Sequence, residues 1–300
     1  MRAFRVAGAP WMVLCLACGC ASLSRHRVNE DVVTARQLSL RGVDAMEHGR
    51  IEEAEGLFRN ALEMCPTDER IQCHYAETLW RSGRRDEAIA HMQQAVHLSG
   101  GNPELLVRLG DMYLTQGDLA RAAEQAKRAI EADGRMASAW ALWGDVLARF
   151  GRMEEALASY HRALSYEPHY PRVQLALADA YERQGRHARA LATLRSLADG
   201  YPAGEVPQMV LVREAIALKA MGRYRAAVDA LADAASRSDA TPELLYHLAE
   251  AQLLAGDPIN ARLTAQSALA KAPDHAPSQQ LYEHLESLQR RVAMPAGRGR

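Results

Sequence analysis

Apolar residues recur along residues 137–170 with the three- and four-residue spacing of an amphipathic helix. Gly144 is small enough for a neighbouring helix to come close, Gly151 allows a turn, and Pro168 ends the segment. The apolar stripe before the turn consists of Trp140, Trp143 and Leu147, and the stripe after it of Ala156, Tyr160, Ala163 and Leu164. The pattern predicts two helices that pack against each other across a short turn.

The same layout returns at a step of 34 residues on both sides of this window. It resembles the tetratricopeptide (TPR) repeat, whose large, small and turn residues occupy these positions. The resemblance implies an all-α fold, a right-handed superhelical α-solenoid of about seven helix-turn-helix repeats. The repeats occupy residues 35–68, 69–102, 103–136, 137–170, 171–204, 208–241 and 242–275. Residues inserted around Gly204, Glu205 and Val206 break the phase, and we expect a longer loop there.

The end of the chain continues the helical pattern for one more element. Leu281, Leu285 and Leu288 share one side of residues 276–293, so this segment is predicted to be a C-terminal helix that covers the last repeat. Residues 294–300 are expected to be a disordered tail.

The first residues combine a basic start, an apolar run and small residues, which is typical of an export signal. Residues 16–20, LACGC, resemble the bacterial lipoprotein signal, in which a small residue precedes a lipidated cysteine. The resemblance implies removal of residues 1–19, lipidation of Cys20 and a tether over residues 20–34. An uncleaved membrane anchor and an ordinary secretory cleavage are the alternatives.

The residues after Cys20 bear on the expected location. Ala21 and Ser22 follow it, and no aspartate occupies the position that retains lipoproteins in the inner membrane. By the same resemblance we expect a lipid-anchored protein of the cell envelope, in the outer membrane and facing the periplasm.

Two cysteines would remain beyond the lipidated one, Cys65 and Cys73. They lie at the end of one predicted helix and early in the next, so a disulfide is geometrically possible in an oxidising compartment. Two small buried thiols are the alternative.

In TPR proteins the first helix of each repeat lines a concave groove that binds an extended peptide or a partner's helix, mainly through positions two, five, six, nine, twelve and thirteen of the repeat. Acidic residues occupy the ninth position of five repeats, with arginines and apolar residues at neighbouring groove positions. The resemblance implies a partner-binding groove formed by Glu77, Trp80, Arg81, Arg108, Asp111, Asp145, Arg149, Asp179, Arg183, Arg213, Tyr246 and Glu250. The alternative is ordinary solvated helix surface, in which pairs four residues apart contribute about 0.2–0.5 kcal/mol each.

Composition and motifs exclude several classes of function. The formal net charge is -1, which argues against nucleic acid as a partner. The sequence has no P-loop, GxGxxG, GxSxG or HExxH motif and no cysteine–histidine set at zinc spacing. We therefore expect no catalytic site, metal, cofactor or small-molecule substrate.

A non-catalytic scaffold or adaptor is the function that these observations favour. It would bind a peptide or helix of an envelope protein and serve in assembly of a pilus, a secretion or outer-membrane machine, or polysaccharide export. A regulatory subunit that recruits a cell-wall or other envelope enzyme is the alternative, and an enzyme with an unrecognised site is a third hypothesis.

Overall fold

The structure, a computed structural model, describes residues 14–202, 204–237 and 239–293. The start of the expected signal peptide and the tail 294–300 lie outside the described residues, as does the side chain of Cys20. Within the described residues all regular structure is helical, which confirms the all-α prediction. The helices are α1 (Leu14–Glu47), α2 (Ile51–Met64), α3 (Glu69–Arg81), α4 (Arg85–Leu98), α5 (Pro103–Gln116), α6 (Leu119–Ala132), α7 (Ala137–Arg149), α8 (Met153–Tyr166), α9 (Pro171–Arg183), α10 (His187–Ala198), α11 (Gln208–Ala220), α12 (Tyr224–Arg237), α13 (Pro242–Leu254), α14 (Pro258–Lys271) and α15 (Ala276–Ala293).

The described chain divides into two compact units, with the boundary inside α7 between Leu142 and Trp143. In each unit successive helices pack as antiparallel TPR-like pairs. First helices of neighbouring repeats also contact each other, as α1 does with α3 and α11 with α13. Short turns produce this arrangement, because a helix that reverses after a few residues packs antiparallel against the helix before it.

Side chains at the helix ends explain where many of the helices begin. The Asp68 carboxylate accepts hydrogen bonds from the backbone N–H groups of Arg70 and Ile71, at 3.0 and 3.1 Å. Asn102 accepts one from the N–H of Glu104 at 2.8 Å, directly before a proline that suits the first helical position. At the other end of α5, Gly117 takes a left-handed backbone with φ 84°, which a residue with a β-carbon rarely adopts.

The core of the first unit shows why small residues recur at fixed steps. Phe58 of α2 is fully buried, and its ring lies against the backbone of α1 at Gly42. A β-carbon at Gly42 would lie 2.7 Å from Cζ of Phe58, closer than carbon atoms can pack. Glycine at this position therefore lets the aromatic ring reach α1. Fully buried alanines complete the contact: Ala35, Ala45, Ala54 and Ala61.

In the second unit, α15 covers the end of the array. Leu285 is buried in a cluster with Ala249, Ala261 and Ala265, and Leu281 packs against the same cluster. The longer loop falls at residues 199–207, between α10 and α11. Its described residues Tyr201 and Val206 pack onto the neighbouring cluster of buried residues.

The apolar stripe of α7 differs from the sequence-based expectation. Leu147 is buried as predicted, but Trp140 and Trp143 are only half-buried. Leu142 and Val146 occupy the interior positions instead. The indole N–H of Trp140 donates to the carbonyl oxygen of Gly134 at 2.9 Å, so this ring lies against the preceding loop.

The amino-terminal segment is helical. Helix α1 runs without interruption through residues 20–34, where the sequence predicts a tether. The segment from Leu14 to Glu47 contains no proline, so nothing in it excludes an α-helix. Among the described residues, no helix has the length and apolar character needed to cross a bilayer.

Both remaining cysteines are free thiols: Cys73 is buried and Cys65 is half-buried. Burial raises the pKa of the Cys73 thiol to about 11, with the nearby Glu77 carboxylate adding to the shift. At neutral pH this thiol is protonated and is a weak nucleophile.

Candidate functional site

In the first unit, two of the predicted groove residues form an ion pair between neighbouring repeats. The guanidinium of Arg108 on α5 donates to the carboxylate of Glu77 on α3. Its Nη1 also lies 3.5 Å from Sγ of Cys73, which places the thiol beside this pair. Burial alone would raise the pKa of Glu77, but hydrogen bonding with His74 and the charge of Arg108 outweigh it, so this pKa lies below its ordinary value.

The other predicted residues of this unit take no part in this ion pair. Arg81 does not pair with Glu77, four residues earlier, although that spacing allows it. Its Nη1 instead donates to the carbonyl oxygen of Met46, at 3.4 Å. Trp80 is half-buried, with the guanidinium carbon of Arg85 5.6 Å from the centre of its ring. Asp111 is half-buried on α5.

In the second unit, Asp145 is held by two partners. Its carboxylate accepts a hydrogen bond from the hydroxyl of Tyr160 at 2.7 Å and forms an ion pair with Arg172 of the next repeat. Burial and the Asp145 carboxylate both raise the pKa of Tyr160, so the phenol stays protonated. The arrangement fixes the carboxylate at the surface of α7.

On α9, Asp179 and Arg183 form an ion pair, and Glu182 lies near Arg213 of α11 without a hydrogen bond to it. Asp179 accepts from Arg183 on the same helix at 2.9 Å, and both side chains are exposed. Burial raises the pKa of Glu182, and the positive charge of Arg213 on α11 offsets part of the shift. Oε1 of Glu182 and Nη1 of Arg213 are both buried and have no hydrogen-bond partner among the described residues.

Arg149, at the end of α7, is exposed and has no ion pair with any described side chain. It is thus the predicted groove arginine with the fewest intramolecular constraints in the second unit.

The last predicted pair belongs to a polar cluster on α11 and α13. Glu250 forms an ion pair with Lys219, and His247 lies 3.4 Å from the same carboxylate. His247 and Lys219 hold the pKa of Glu250 at about 2. Tyr246 lies beside this cluster, with its ring centre 4.9 Å from that of His247 and the two ring planes tilted by 59°.

Most predicted charges therefore bind other residues of the chain. Residues outside the prediction take part, among them Arg172, Glu182, Lys219 and His247. They occupy the second, twelfth, twelfth and sixth positions of their repeats, which are groove positions of the TPR pattern. The groove positions of the TPR pattern would have identified these residues. A search for acidic residues at the ninth position could not find them. Within the described residues, no cluster of histidine, cysteine and carboxylate side chains could hold a metal ion.

Relatives of known sequence match parts of the chain. The cytochrome c-type biogenesis protein CycH of Rhizobium meliloti is 28% identical over 185 residues, which are 62% of this chain and 40% of CycH. The peroxisomal targeting signal receptor of Saccharomyces cerevisiae is 32% identical over 87 residues, 29% of this chain and 14% of the receptor. The matches therefore span less than half the length of these relatives.

Several solved structures share the fold. PilW, described as a widely conserved type IV pilus biogenesis factor, has a TM-score of 0.62 at 19% identity and covers 70% of this chain and 96% of its own. PilF of Pseudomonas aeruginosa has a TM-score of 0.60 at 16% identity, with coverages of 74% and 99%. A tetratricopeptide repeat protein from Parabacteroides merdae has a TM-score of 0.58 at 15% identity, with coverages of 84% and 99%.

Two tetratricopeptide repeat family models match the chain itself. One matches residues 45–94 and 147–209, and the other matches residues 75–137, 107–164 and 212–276. The second model alone covers more than half of the chain, and its matches coincide with the helix pairs described above. The chain belongs to the tetratricopeptide repeat family.

Proposed function

We propose that this protein is a membrane-anchored scaffold that binds a peptide or helix of a cell-envelope partner through the first helices of its repeats. TPR scaffolds are typically non-catalytic protein-interaction modules. One observation carries the proposal: in each unit, ion pairs on these helices connect one repeat to the next, namely Glu77–Arg108, Asp145–Arg172 and Lys219–Glu250. Such pairs present fixed donors and acceptors to a partner without further ordering of the side chains.

The names of the relatives support assembly work. CycH is named for cytochrome c biogenesis, and PilW for biogenesis of type IV pili. We therefore propose that this chain serves in the assembly of an envelope machine of that kind.

Affinity purification after chemical crosslinking tests the proposal. The tagged chain is expected to return structural components of one envelope machine. Recovery of a single cell-wall enzyme would favour the alternative, a regulatory subunit that recruits that enzyme. Turnover of a wall or glycan substrate by the purified chain alone would overturn both.

Charge reversal on the first helices should weaken partner binding. In the variant Arg149→Glu with Arg183→Glu, we expect partner binding to fall on the order of tenfold, because guanidinium groups bind carboxylates strongly and glutamates repel them. Binding would be measured with the crosslinked partner, and circular dichroism should show unchanged helicity, since both side chains are exposed.

Arg223→Glu with Arg225→Glu is the matched control. These exposed arginines lie at the turn before α12 and on α12 itself, and the total change in charge is the same. Equal binding by the test and control variants would show that the partner contacts another face.

The proposed anchor predicts a clear change in location. Cys20→Ser should release the protein from membranes into the soluble periplasmic fraction, because the lipid chains supply the membrane affinity. Fractionation and labelled fatty acid would measure this, with Cys65→Ser as the control. Fatty acid still attached to the Cys20→Ser variant would refute this anchor.

A further inference from the structure

A cavity of about 520 Å³ lies on the first unit between α1 and α3, the first helices of two neighbouring repeats. Arg36, Leu40 and Val43 of α1 form one wall. Arg70 and His74 of α3 form the other. These side chains stand at groove positions of the repeat pattern, yet the expected partner-binding residues include none of them.

The cations of this cavity differ from the ion-paired arginines of the groove. Arg108 pairs with a carboxylate of the preceding repeat, as Arg172 does in the second unit. By contrast, neither Arg36 nor Arg70 has a carboxylate within ion-pair distance among the described side chains. Their guanidinium groups therefore keep their donors for a partner.

The acidic residues of the wall do not occupy these guanidinium donors. The Asp68 carboxylate accepts hydrogen bonds from two backbone N–H groups at the start of α3, so the positive end of that helix already binds this carboxylate. Glu69 is the other acid at the rim, beside Arg36 and Arg70, and the His74 imidazole already faces the Glu77 carboxylate, with Nδ1 3.9 Å from Oε2. The cavity keeps an excess of hydrogen-bond donors that suits a carboxylate.

The apolar part of the cavity is unusual for a helix surface. Leu40 is 71% exposed, among the most exposed of the large apolar side chains that the structure describes. Val43, three residues further along α1, lies beside it on the same helical face. An aliphatic side chain of a partner would remove both from water.

We infer that this cavity binds a partner segment in which an aliphatic side chain lies next to a carboxylate. The aliphatic group packs on Leu40 and Val43, and the carboxylate accepts hydrogen bonds from Arg36 and Arg70. The inference rests on the proposed function and assigns the chemistry of one of its contacts.

A random dodecapeptide library displayed on phage tests the inference with the purified full chain. Enriched peptides are expected to carry Asp or Glu beside Leu, Ile or Val. Synthetic copies would then be measured by fluorescence anisotropy. Arg36→Glu and Arg70→Glu should each raise Kd on the order of tenfold, and Leu40→Ser should also weaken binding.

Arg41→Glu is the matched control, because this exposed arginine lies on the same helix about 140° around its axis from Arg36. It should leave Kd unchanged. Enriched peptides without an acidic and an aliphatic residue, or a Kd that the cavity variants do not alter, would overturn the inference and leave the proposed function standing. A library that yields no binding peptide would overturn both.

Discussion

Phe58→Ala should lower the free energy of unfolding by about 3–5 kcal/mol, the usual cost of truncating a buried aromatic residue. The ring is fully buried between α1 and α2 and packs directly on the backbone at Gly42. Removing it leaves a cavity that alanines cannot fill, because they line this contact on both sides. Guanidinium unfolding followed by circular dichroism would measure the loss.

Phe150→Ala provides the control, since the same substitution is made at a ring that is 49% exposed. Its effect should stay below about 0.5 kcal/mol. Gly42→Leu should destabilise as well, because its β-carbon would overlap the ring of Phe58. The double variant with Phe58→Ala should be more stable than the sum of the two losses implies, since the new leucine can enter the vacated space. Additive losses would contradict direct packing of these two residues.

The repeat also predicts a small residue at Gly42 and a large one at Phe58, because they lie three steps of 34 residues before Gly144 and Tyr160. Both residues stand at steps of the repeat, where one must be small and the other large. Burial of such residues follows from periodicity, because each helix meets its neighbour along one stripe. The same reasoning failed for Trp140 and Trp143. An apolar stripe predicts which face of a helix is buried, but here the neighbouring Leu142 and Val146 occupy the buried positions of that face.

The partners of the charged residues were harder to predict. Arg81 stands four residues after Glu77, yet Glu77 pairs with Arg108 of the next repeat and Arg81 with a carbonyl oxygen. Spacing along one helix is known from the sequence, whereas the distance between first helices depends on how closely whole repeats pack. A long, flexible arginine side chain can reach a partner on its own helix or on the neighbouring repeat. Surface ion pairs contribute too little to the free energy of folding to decide between these two partners.

Glu250→Gln should lower the free energy of unfolding by about 2 kcal/mol at neutral pH. The Lys219 ammonium, 10% exposed, would lose its ion-pair partner, and a nearly buried cation without a counter-charge is costly. Glu250 itself is 35% exposed, so solvent screening reduces the effect below that of a fully buried pair. Glu283→Gln, at an exposed glutamate of α15, is the control and should have almost no effect.

The same substitution has a defined pH dependence. His247 and Lys219 lower the pKa of Glu250 from 4.5 to about 2, so the carboxylate binds protons more weakly in the folded protein than in the unfolded chain. Its contribution to stability is complete above about pH 4.5 and is lost as the pH falls toward 2. The stability difference between the wild-type protein and Glu250→Gln should therefore shrink across this range.

Lys219→Met separates the contribution of the ion pair from that of His247, which also contacts the Glu250 carboxylate. In that background the further change Glu250→Gln should cost less than it does in the wild-type protein, and its pH dependence should flatten. An undiminished cost would mean that Glu250 stabilises the fold through His247 and not through the cation. Helices α11 and α13 are the first helices of adjacent repeats. In that case the packing between these two helices would align the repeats more than the ion pair does.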